Sequence, residues 1–366
     1  MIPPPDGAPR LSIIVTSRND EHGGDILRRM RLFLQGLLDQ TRRHGLQAEL
    51  IVVEWNPPED RPPLREVLPR PSAHDRLTLR YLEVPGAIHR RYRRAPDLPL
   101  FQMIAKNVGI RRARGEFVLC TNVDLLFSDP LVRLLGATPL RADTCYRANR
   151  CDVPDGIDPR WDISRQLEWC EAHVIRRLGR DPRYRNINLE LLGLQDKAPY
   201  KKWVFDKLAA VYGLFWTAEK RALYQLDWSA CGDFTLMSRQ AWIAIEGYVE
   251  LDLYSLHVDS LGLIAAAALG YRQHVFPLPA CTYHVDHPAG WQALSPLEKV
   301  RFLEQRPTID YTLLQEVGLH ALKHRQPLGL NPPDWGYADH AFEEFTFPPA
   351  AEEARPRPAV GVLASP

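Results

Sequence analysis

Three short polar segments each follow an apolar run, and their side chains could bind a metal ion and a phosphate ester. They are Thr16–Asp20, Glu54–Asn56 and Asn122–Asp124. Carboxylate and amide oxygens are the ligands that hard divalent cations prefer. In an open parallel sheet, ligands bind outside the carboxyl ends of the strands. We therefore expect the three segments to meet at one edge of a sheet.

Further candidate residues lie downstream. Asp259, at the start of a predicted helix, could act as a general base on a hydroxyl group or could simply cap the helix. His284 could ligate a metal or form a structural hydrogen bond, and His287 is the weaker candidate of the two. Asp233 follows Gly232, which permits either a close approach to a ligand or an ordinary turn.

Several classes of protein are disfavoured by missing patterns. No GxGxxG follows the first predicted strand, and neither a phosphate-binding GxxxxGK[ST] loop nor a GxSxG elbow occurs. The six cysteines form no CxxC pair, so a zinc site is not expected. The formal net charge of +1 argues against a nucleic-acid partner.

Composition predicts a globular protein in the cytoplasm. Hydrophobic residues make up 45% of the 366 residues, which is enough for a substantial core. No apolar run is long enough for a transmembrane segment, and no signal peptide is visible. Peripheral contact with the inner membrane and the oligomeric state remain open.

The first 140 residues alternate between strand and helix patterns, which predicts an α/β fold with a mostly parallel central sheet. The predicted strands are 11–15, 50–53, 77–84 and 117–120, and the predicted helices are 24–44 and 102–113. Residues 151–228 are rich in aromatic and basic residues and predict a helical insertion, with helices near 161–178 and 203–224. Beyond it we expect helices near 238–246, 259–269 and 295–325, and a strand near 272–276.

Aromatic residues are concentrated late in the insertion, at Trp203, Phe205, Phe215 and Trp216. A sugar-stacking platform and a membrane-facing patch are both compatible with such residues. The default expectation is that they form the core of the helical segment.

The order of the motifs resembles that of GT-A fold glycosyltransferases, family 2-like. The resemblance is carried by residues 11–20, the strand ending at Glu54, the Asn107–Glu116 segment, Asn122-Val-Asp124 and Gly247–Glu250. His257–Leu261, Gly270-Tyr271 and Tyr283-His284 continue the pattern downstream. The similarity covers residues 11–290 and is weakest over 145–228.

The resemblance implies a Rossmann-like nucleotide-diphospho-sugar transferase. Such an enzyme moves a sugar from a nucleotide-sugar donor, a UDP-sugar or GDP-sugar, to a glycan or other hydroxyl acceptor, with inversion and with Mn²⁺ or Mg²⁺. The implied metal ligands are Asp124 and His284, and the implied catalytic base is Asp259. The implied donor-binding residues are Thr16, Arg18, Asn19, Glu54, Lys106, Asn107, Asn122 and Asp233.

The same resemblance divides the chain into functional segments. A flexible lead covers 1–9, a nucleotide-sugar-binding half 10–144 and a helical acceptor-side insertion 145–228. A catalytic and acceptor half with C-terminal helices covers 229–345, and a disordered tail covers 346–366.

Two departures from the family pattern keep other functions open. Asn122 stands where the family has the first Asp of its metal motif, and Val258 stands where it has a Glu. A catalytically degenerate scaffold that binds a nucleotide sugar or glycan is therefore an alternative. A sugar-nucleotide nucleotidyltransferase is less favoured, because it needs a glycine-rich loop after the first strand and residues 16–20 contain no glycine.

Overall fold

The computed structural model describes residues 9–181, 183, 194, 197–287 and 295–349. Residues 1–8 of the predicted flexible lead and residues 350–366 of the predicted tail lie outside these residues. Within the described part of the chain, no helix combines the length and the apolar character needed to cross a membrane.

The N-terminal half contributes four parallel strands in the order β3-β2-β1-β4. They are β1 (Leu11–Ser17), β2 (Ala48–Trp55), β3 (Leu77–Val84) and β4 (Phe117–Thr121). Strands β1, β2 and β4 are buried along their whole length, because helices cover both faces of the sheet. The helices of this half are α1 (Ile26–His44), α2 (Leu64–Val67), α3 (Gly86–His89) and α4 (Gln102–Arg112). The four strands and the two long helices confirm the predictions for this half.

The chain from residue 125 onward extends the same sheet with mostly antiparallel pairs. Its strands are β5 (Leu125–Phe127), β6 (Thr144–Val153), β7 (Arg176–Leu178), β8 (Phe234–Ser238), β9 (Arg272–Val285) and β10 (Glu343–Phe347). From β4 the sheet continues in the order β8-β6-β9-β5, and β10 adds to the far edge beside β3. Among the described strands from β5 to β10, only β6 and β9 pair in parallel with each other. The α/β class is confirmed, with the parallel strands grouped around β1.

The remaining helices lie close to their predicted positions, except for α5, which the sequence did not predict, and the spans predicted at 203–224 and 295–325 each contain two helices. They are α5 (Asp129–Ala137), α6 (Ile163–Ala172), α7 (Pro199–Tyr212), α8 (Ala218–Gln225), α9 (Arg239–Ala244), α10 (Val258–Ala268), α11 (Pro296–Glu304) and α12 (Tyr311–His324). A 3₁₀ turn (Gly213–Phe215) joins α7 to α8. The helix predicted over 161–178 ends at Ala172, and its last residues form β7 instead.

The expectation of a helical insertion over 145–228 is wrong at its start. Residues 144–153 form β6, which lies between β8 and β9 in the middle of the extended sheet. Arg147, Asn149 and Asp152 are buried along this strand among its apolar residues. Polar residues at buried positions hide the alternation by which a strand is recognised in sequence.

Two other predictions differ from the structure. The boundary before the predicted tail, at residue 346, falls inside β10, where Phe347 packs edge-on against Tyr81 at 5.8 Å between ring centroids. Three of the four aromatic residues singled out late in the insertion are not core: Trp203, Phe205 and Phe215 are exposed by 57%, 45% and 83%. The fourth, Trp216, is partly buried, with its ring centroid 4.8 Å from that of Tyr224.

A buried ion pair attaches β10 to the sheet. The Arg80 guanidinium on β3 is 2% exposed and donates to Glu49 on β2 at 2.7 Å and to both oxygens of Glu344 on β10. The parallel strands β1 to β4 pair in register, so their carboxyl ends lie side by side. The polar segments that the sequence singled out follow these carboxyl ends and therefore lie at one edge of the sheet.

Candidate functional site

One carboxylate and two imidazoles converge where β4 leads into β5. Asp124 is the last residue of the turn before β5, and β5 pairs antiparallel with β9 so that Leu125 lies opposite His284. Asp124 Oδ2 is 3.4 Å from His284 Nε2 and 3.4 Å from His287 Nε2. The candidate ligand atoms of Asp124, His284 and His287 all lie within 4.8 Å of one another. The structure thus joins the two predicted metal ligands to His287, which the sequence ranked lower.

Electrostatics couple the members of this cluster. Burial raises the pKa of Asp124, but the His284 and His287 rings outweigh it and hold the pKa well below its usual value. Burial lowers the pKa of His284, but the carboxylates of Asp124 and Asp152 outweigh it and raise the pKa to about 9. The site therefore holds an ionised carboxylate, and a cation that binds His284 Nε2 has to displace a proton.

The three side chains fit a divalent cation. Within the described residues, Oδ1 of Asp124 and Nδ1 of His287 are buried and have no hydrogen-bond partner. Buried polar atoms are normally paired, so unpaired ones next to a ligand cluster indicate a missing partner. Carboxylate oxygen suits Mn²⁺ and Mg²⁺, whereas imidazole favours transition metals, so this mixed set suits Mn²⁺ better than Mg²⁺.

A short loop after β1 closes over the cluster. Gly23 has a φ of 69°, and a Cβ at this position would lie 2.8 Å from His287 Nδ1. The Arg29 guanidinium from α1 donates to the carbonyl oxygens of His22, Gly23 and Gly24, which fixes the loop in place. A glycine is therefore required where the loop meets the imidazole.

Beneath the cluster, Asn122 is the centre of a hydrogen-bond network. Its Oδ1 accepts from Lys106 Nζ at 2.9 Å and from Gln102 Nε2 at 2.7 Å. Its Nδ2 donates to Asp233 Oδ1 at 2.6 Å. Lys106 is fully buried and also donates to the Gly232 carbonyl at 2.8 Å. Both ends of the Asn122 amide are thus hydrogen-bonded to neighbouring side chains. An aspartate at this position would place its carboxylate next to that of Asp233, and the two negative charges would repel each other.

Arg150 and Asp152 on β6 extend this network to the metal cluster, and sequence reasoning missed both. Arg150 donates to Asp152 at 2.6 Å and to Asp233 at 2.8 Å. His284 Nδ1 is 2.9 Å from Arg150 Nη2 and 3.4 Å from Asp152 Oδ1. Of these two neighbours, only the carboxylate can accept the Nδ1 proton of a histidine that ligates through Nε2. Both would have been found only by recognising β6 as a strand.

Asp259 lies in the first turn of α10, as predicted, and is partly exposed. A Cβ on Gly232 would be 2.9 Å from Asp259 Oδ2, so the carboxylate packs directly against the loop that carries Asp233. Its Oδ1 accepts from its neighbour's backbone N–H, that of Ser260, at 2.9 Å. The structure therefore brings Asp259 to the same edge as the Asn122 network.

Two of the predicted donor-binding residues at the end of β1 are buried. Thr16 is 6% and Asn19 is 3% exposed. Within the described part of the chain, Thr16 Oγ1 and Asn19 Oδ1 have no hydrogen-bond partner, while Asn19 Nδ2 donates to the Pro62 carbonyl. Arg18 is braced by Asp20 at 3.4 Å and by the Pro99 carbonyl. The end of β1 thus holds buried polar atoms that a ligand could satisfy.

The structure gives Asn107 and Glu54 internal partners instead of an open face. Asn107 bonds the backbone of Tyr248 through both ends of its amide and reaches Glu250 at 3.0 Å, which leaves it no group for a nucleotide. Glu54 is 1% exposed, and both of its oxygens accept from the Leu64 backbone N–H. Burial raises the pKa of Glu54 to about 7. Within the described residues, Asn107 therefore holds the backbone at Tyr248 in place, and Glu54 holds the backbone at Leu64 in place.

Comparisons with known proteins give matches only at the level of structure. A scan against protein-family models finds no match, and a search of curated proteins finds none either. The catalytic domain of Drosophila β1,4-galactosyltransferase 7, solved with xylobiose, aligns at 11% identity and a TM-score of 0.37, over 87% of this chain and 82% of that chain. GalNAc-T7, solved with UDP, GalNAc and Mn²⁺, aligns at 12% identity and a TM-score of 0.42.

The GalNAc-T7 alignment covers 88% of this chain and 52% of that one, so this chain spans about half the length of GalNAc-T7. Both solved structures are GT-A-type glycosyltransferases, the class that the sequence motifs resemble.

The raised pKa of Glu54 makes stability depend on pH. The folded pKa of about 7 exceeds the ordinary value of 4.5, so the folded state binds the extra proton between these values. The stability contributed by neutral Glu54 is therefore present at pH 4.5 and lost as the pH rises through 7, by about 3 kcal/mol in all. Glu54→Gln should remove this slope in denaturant unfolding measured from pH 5 to 8.

Glu59→Gln is the matched control, because Glu59 is an exposed carboxylate in the loop that follows β2 and does not act on the pKa of Glu54. It should leave the slope unchanged. An identical pH dependence for the wild type and Glu54→Gln would contradict the buried, neutral carboxyl.

The hydrogen bonds of Asn122 predict that stability requires an amide at this position. Asn122→Asp would place a carboxylate oxygen 2.6 Å from Asp233 Oδ1 without a proton between them. We expect a loss of about 1–3 kcal/mol in unfolding free energy near neutral pH. The double variant Asn122→Asp with Asp233→Asn restores one amide and one carboxylate and should recover part of the loss. A single variant as stable as the wild type would contradict this role.

Proposed function

We propose that this chain is a metal-dependent glycosyltransferase that transfers a sugar from a nucleoside-diphosphate sugar to a hydroxyl group of a glycan or other acceptor, with inversion. The donor would be a UDP-sugar or a GDP-sugar, and the transferred group a hexosyl or related unit. The reaction would belong to glycan biosynthesis and take place in the cytoplasm. The observation that carries the proposal is the convergence of Asp124, His284 and His287, together with the Asp124 Oδ1 atom, which is buried and has no hydrogen-bond partner within the described residues.

These three side chains would hold the cation, with Mn²⁺ favoured by the two imidazoles. When bound, the cation supplies positive charge that offsets the charge developing on a departing diphosphate. Asp152 would keep the His284 ring oriented through Nδ1, and Arg29 would keep the glycine loop against His287.

The donor nucleotide would lie along the ends of β1 and β4, beside the cluster. Support comes from Thr16 Oγ1 and Asn19 Oδ1, which are buried polar atoms without a partner in the described residues. Arg18 would add positive charge to this edge. Lys106, Asn122 and Asp233 would act indirectly, because their hydrogen bonds fix the β4 turn and the 230–233 loop in place.

Asp259 would act as the general base. In the transfer, the bond from the anomeric carbon to the diphosphate oxygen breaks while the acceptor oxygen bonds to the opposite face of the same carbon. The acceptor's hydroxyl proton passes to the Asp259 carboxylate, and the nucleoside diphosphate leaves. Its partial exposure and its position against Gly232, next to Asp233, support this role.

The metal site can be tested by ligand-induced stabilisation. The thermal transition of the chain should rise when Mn²⁺ is added together with UDP or GDP, because a ligand that binds the native state stabilises it by mass action. Asp124→Asn should lose the metal-dependent part of this rise. Asp155→Asn, an exposed carboxylate in a neighbouring loop, serves as control and should keep it. If no nucleoside diphosphate stabilises the wild type with or without metal, the donor site is refuted.

The base can be separated from the metal site by turnover. Asp259→Asn should retain metal-dependent nucleotide binding and lose at least about 10²-fold in donor consumption, because only the proton acceptor is removed. Asp129→Asn changes a carboxylate in the first turn of another helix, α5, and should leave turnover unchanged. Wild-type binding without any turnover would favour the degenerate scaffold instead.

A further inference from the structure

Helix α7 turns polar and small residues toward the protein and large apolar residues toward solvent, the reverse of a typical helix in a globular protein. The stripe that faces the body of the protein consists of Lys202, Asp206, Ala209 and Gly213, at helical spacing. Asp206 on this stripe is only 2% exposed. The large apolar side chains point outward, whereas an amphipathic helix in a globular protein normally buries them.

The outward residues form one continuous apolar surface over α7 and the following 3₁₀ turn, which we term the α7 surface. Its members are exposed by 40% to 83% and comprise Tyr200, Trp203, Val204, Phe205, Leu208, Val211, Tyr212, Leu214 and Phe215. Leu214 and Phe215, at the end of the helix, are the most exposed of all. Exposed apolar patches of this kind mark sites of interaction.

Basic side chains surround the α7 surface. Residues 199–221 contain Lys201, Lys202, Lys207, Lys220 and Arg221 but only two acidic residues, Asp206 and Glu219. Asp206 Oδ2 lies 3.8 Å from Lys207 Nζ, but the five basic residues still outnumber the two acidic ones, so this segment carries a net positive charge. The chain as a whole is nearly neutral, with a net charge of +1, so the positive charge is local.

We propose that the α7 surface docks onto an anionic lipid bilayer, with its aromatic and aliphatic side chains in the interface and its lysines at the headgroups. Tryptophan, tyrosine and phenylalanine flanked by lysine are typical of helices that lie in the plane of a membrane surface. Positive charge next to the apolar face complements anionic headgroups. The proposal concerns peripheral binding, because α7 has only 14 residues and cannot span a bilayer.

A lipid surface accounts for these observations better than a second copy of the chain does. A copy docking here would bring the same lysines of both chains together, since a symmetric interface apposes identical patches. Apolar side chains also occupy most of the circumference of α7 and continue onto the 3₁₀ turn that follows it. A deformable lipid interface can accommodate a surface of this shape. The proposal does not rest on the proposed function, because neither nucleotide nor metal takes part.

The test is binding of the full chain to phosphatidylcholine vesicles with and without phosphatidylglycerol, followed by flotation. We expect cofloating with the anionic vesicles, weakened by added salt because the electrostatic part is screened. The double variant Leu214→Ser with Phe215→Ser should reduce the bound fraction about tenfold or more, as should Lys201→Glu with Lys207→Glu. All four side chains are exposed, so the fold should survive.

Matched controls separate docking from general stickiness. Ile243→Ser removes an exposed apolar side chain on α9, and Arg133→Glu reverses an exposed charge on α5; both should bind as the wild type does. The six native cysteines are buried, so Phe215→Cys can be labelled selectively with an environment-sensitive dye. Its emission should shift to the blue with anionic vesicles, while a label at Ile243→Cys should not respond.

Two results would overturn the proposal. One is the absence of cofloating with anionic vesicles at low salt. The other is a dimer in sedimentation that Leu214→Ser with Phe215→Ser dissociates, which would assign the α7 surface to a second copy. Neither result would affect metal-dependent nucleotide stabilisation, so failure here and failure of the proposed function remain distinguishable.

Discussion

The position of one carboxylate, Asp124, depends on how β5 leaves β4. Strand β5 does not continue the parallel sheet but pairs with the end of β9, and the Val285 backbone N–H donates to the Asp124 carbonyl at 3.0 Å. This pairing fixes the distance from Asp124 to His284 and, two residues past the strand, to His287. The proposed cation site depends on this arrangement of a carboxylate between two imidazoles, and the surrounding residues hold it in place.

A chain of hydrogen-bonded charged and polar side chains connects this cluster to the other residues at the same edge of the sheet. Lys106 donates to Asn122, Asn122 donates to Asp233, and Arg150 joins Asp233 to Asp152, which lies beside His284. Each of these links pairs a donor with an acceptor, so the network holds its members in fixed positions. The network explains why Asn122 departs from the metal motif of the family that the chain resembles: its amide donates to Asp233, which an aspartate could not do.

The sequence was most informative where periodicity is strong. Four strands and the helices α1 and α4 were predicted, because apolar runs and helical spacing are unambiguous there. Asp124 and His284 were predicted as a pair from strand ends and family resemblance, although only the pairing of β5 with β9 brings them together. Strand β6 was missed, and Arg150 and Asp152 with it. The internal roles of Asn107 and Glu54, and the outward face of α7, are set by tertiary packing, which no local pattern encodes.

The central claim is that Asp124, His284 and His287 bind one divalent cation. Electron spin echo spectroscopy of the chain titrated with Mn²⁺ tests it most directly, because nitrogen nuclei of coordinated imidazoles modulate the echo of the bound ion. The account predicts one Mn²⁺ per chain with nitrogen modulation from two imidazoles. A Mn²⁺ signal that stays that of the free aqueous ion, or a bound ion without nitrogen coupling, would contradict it.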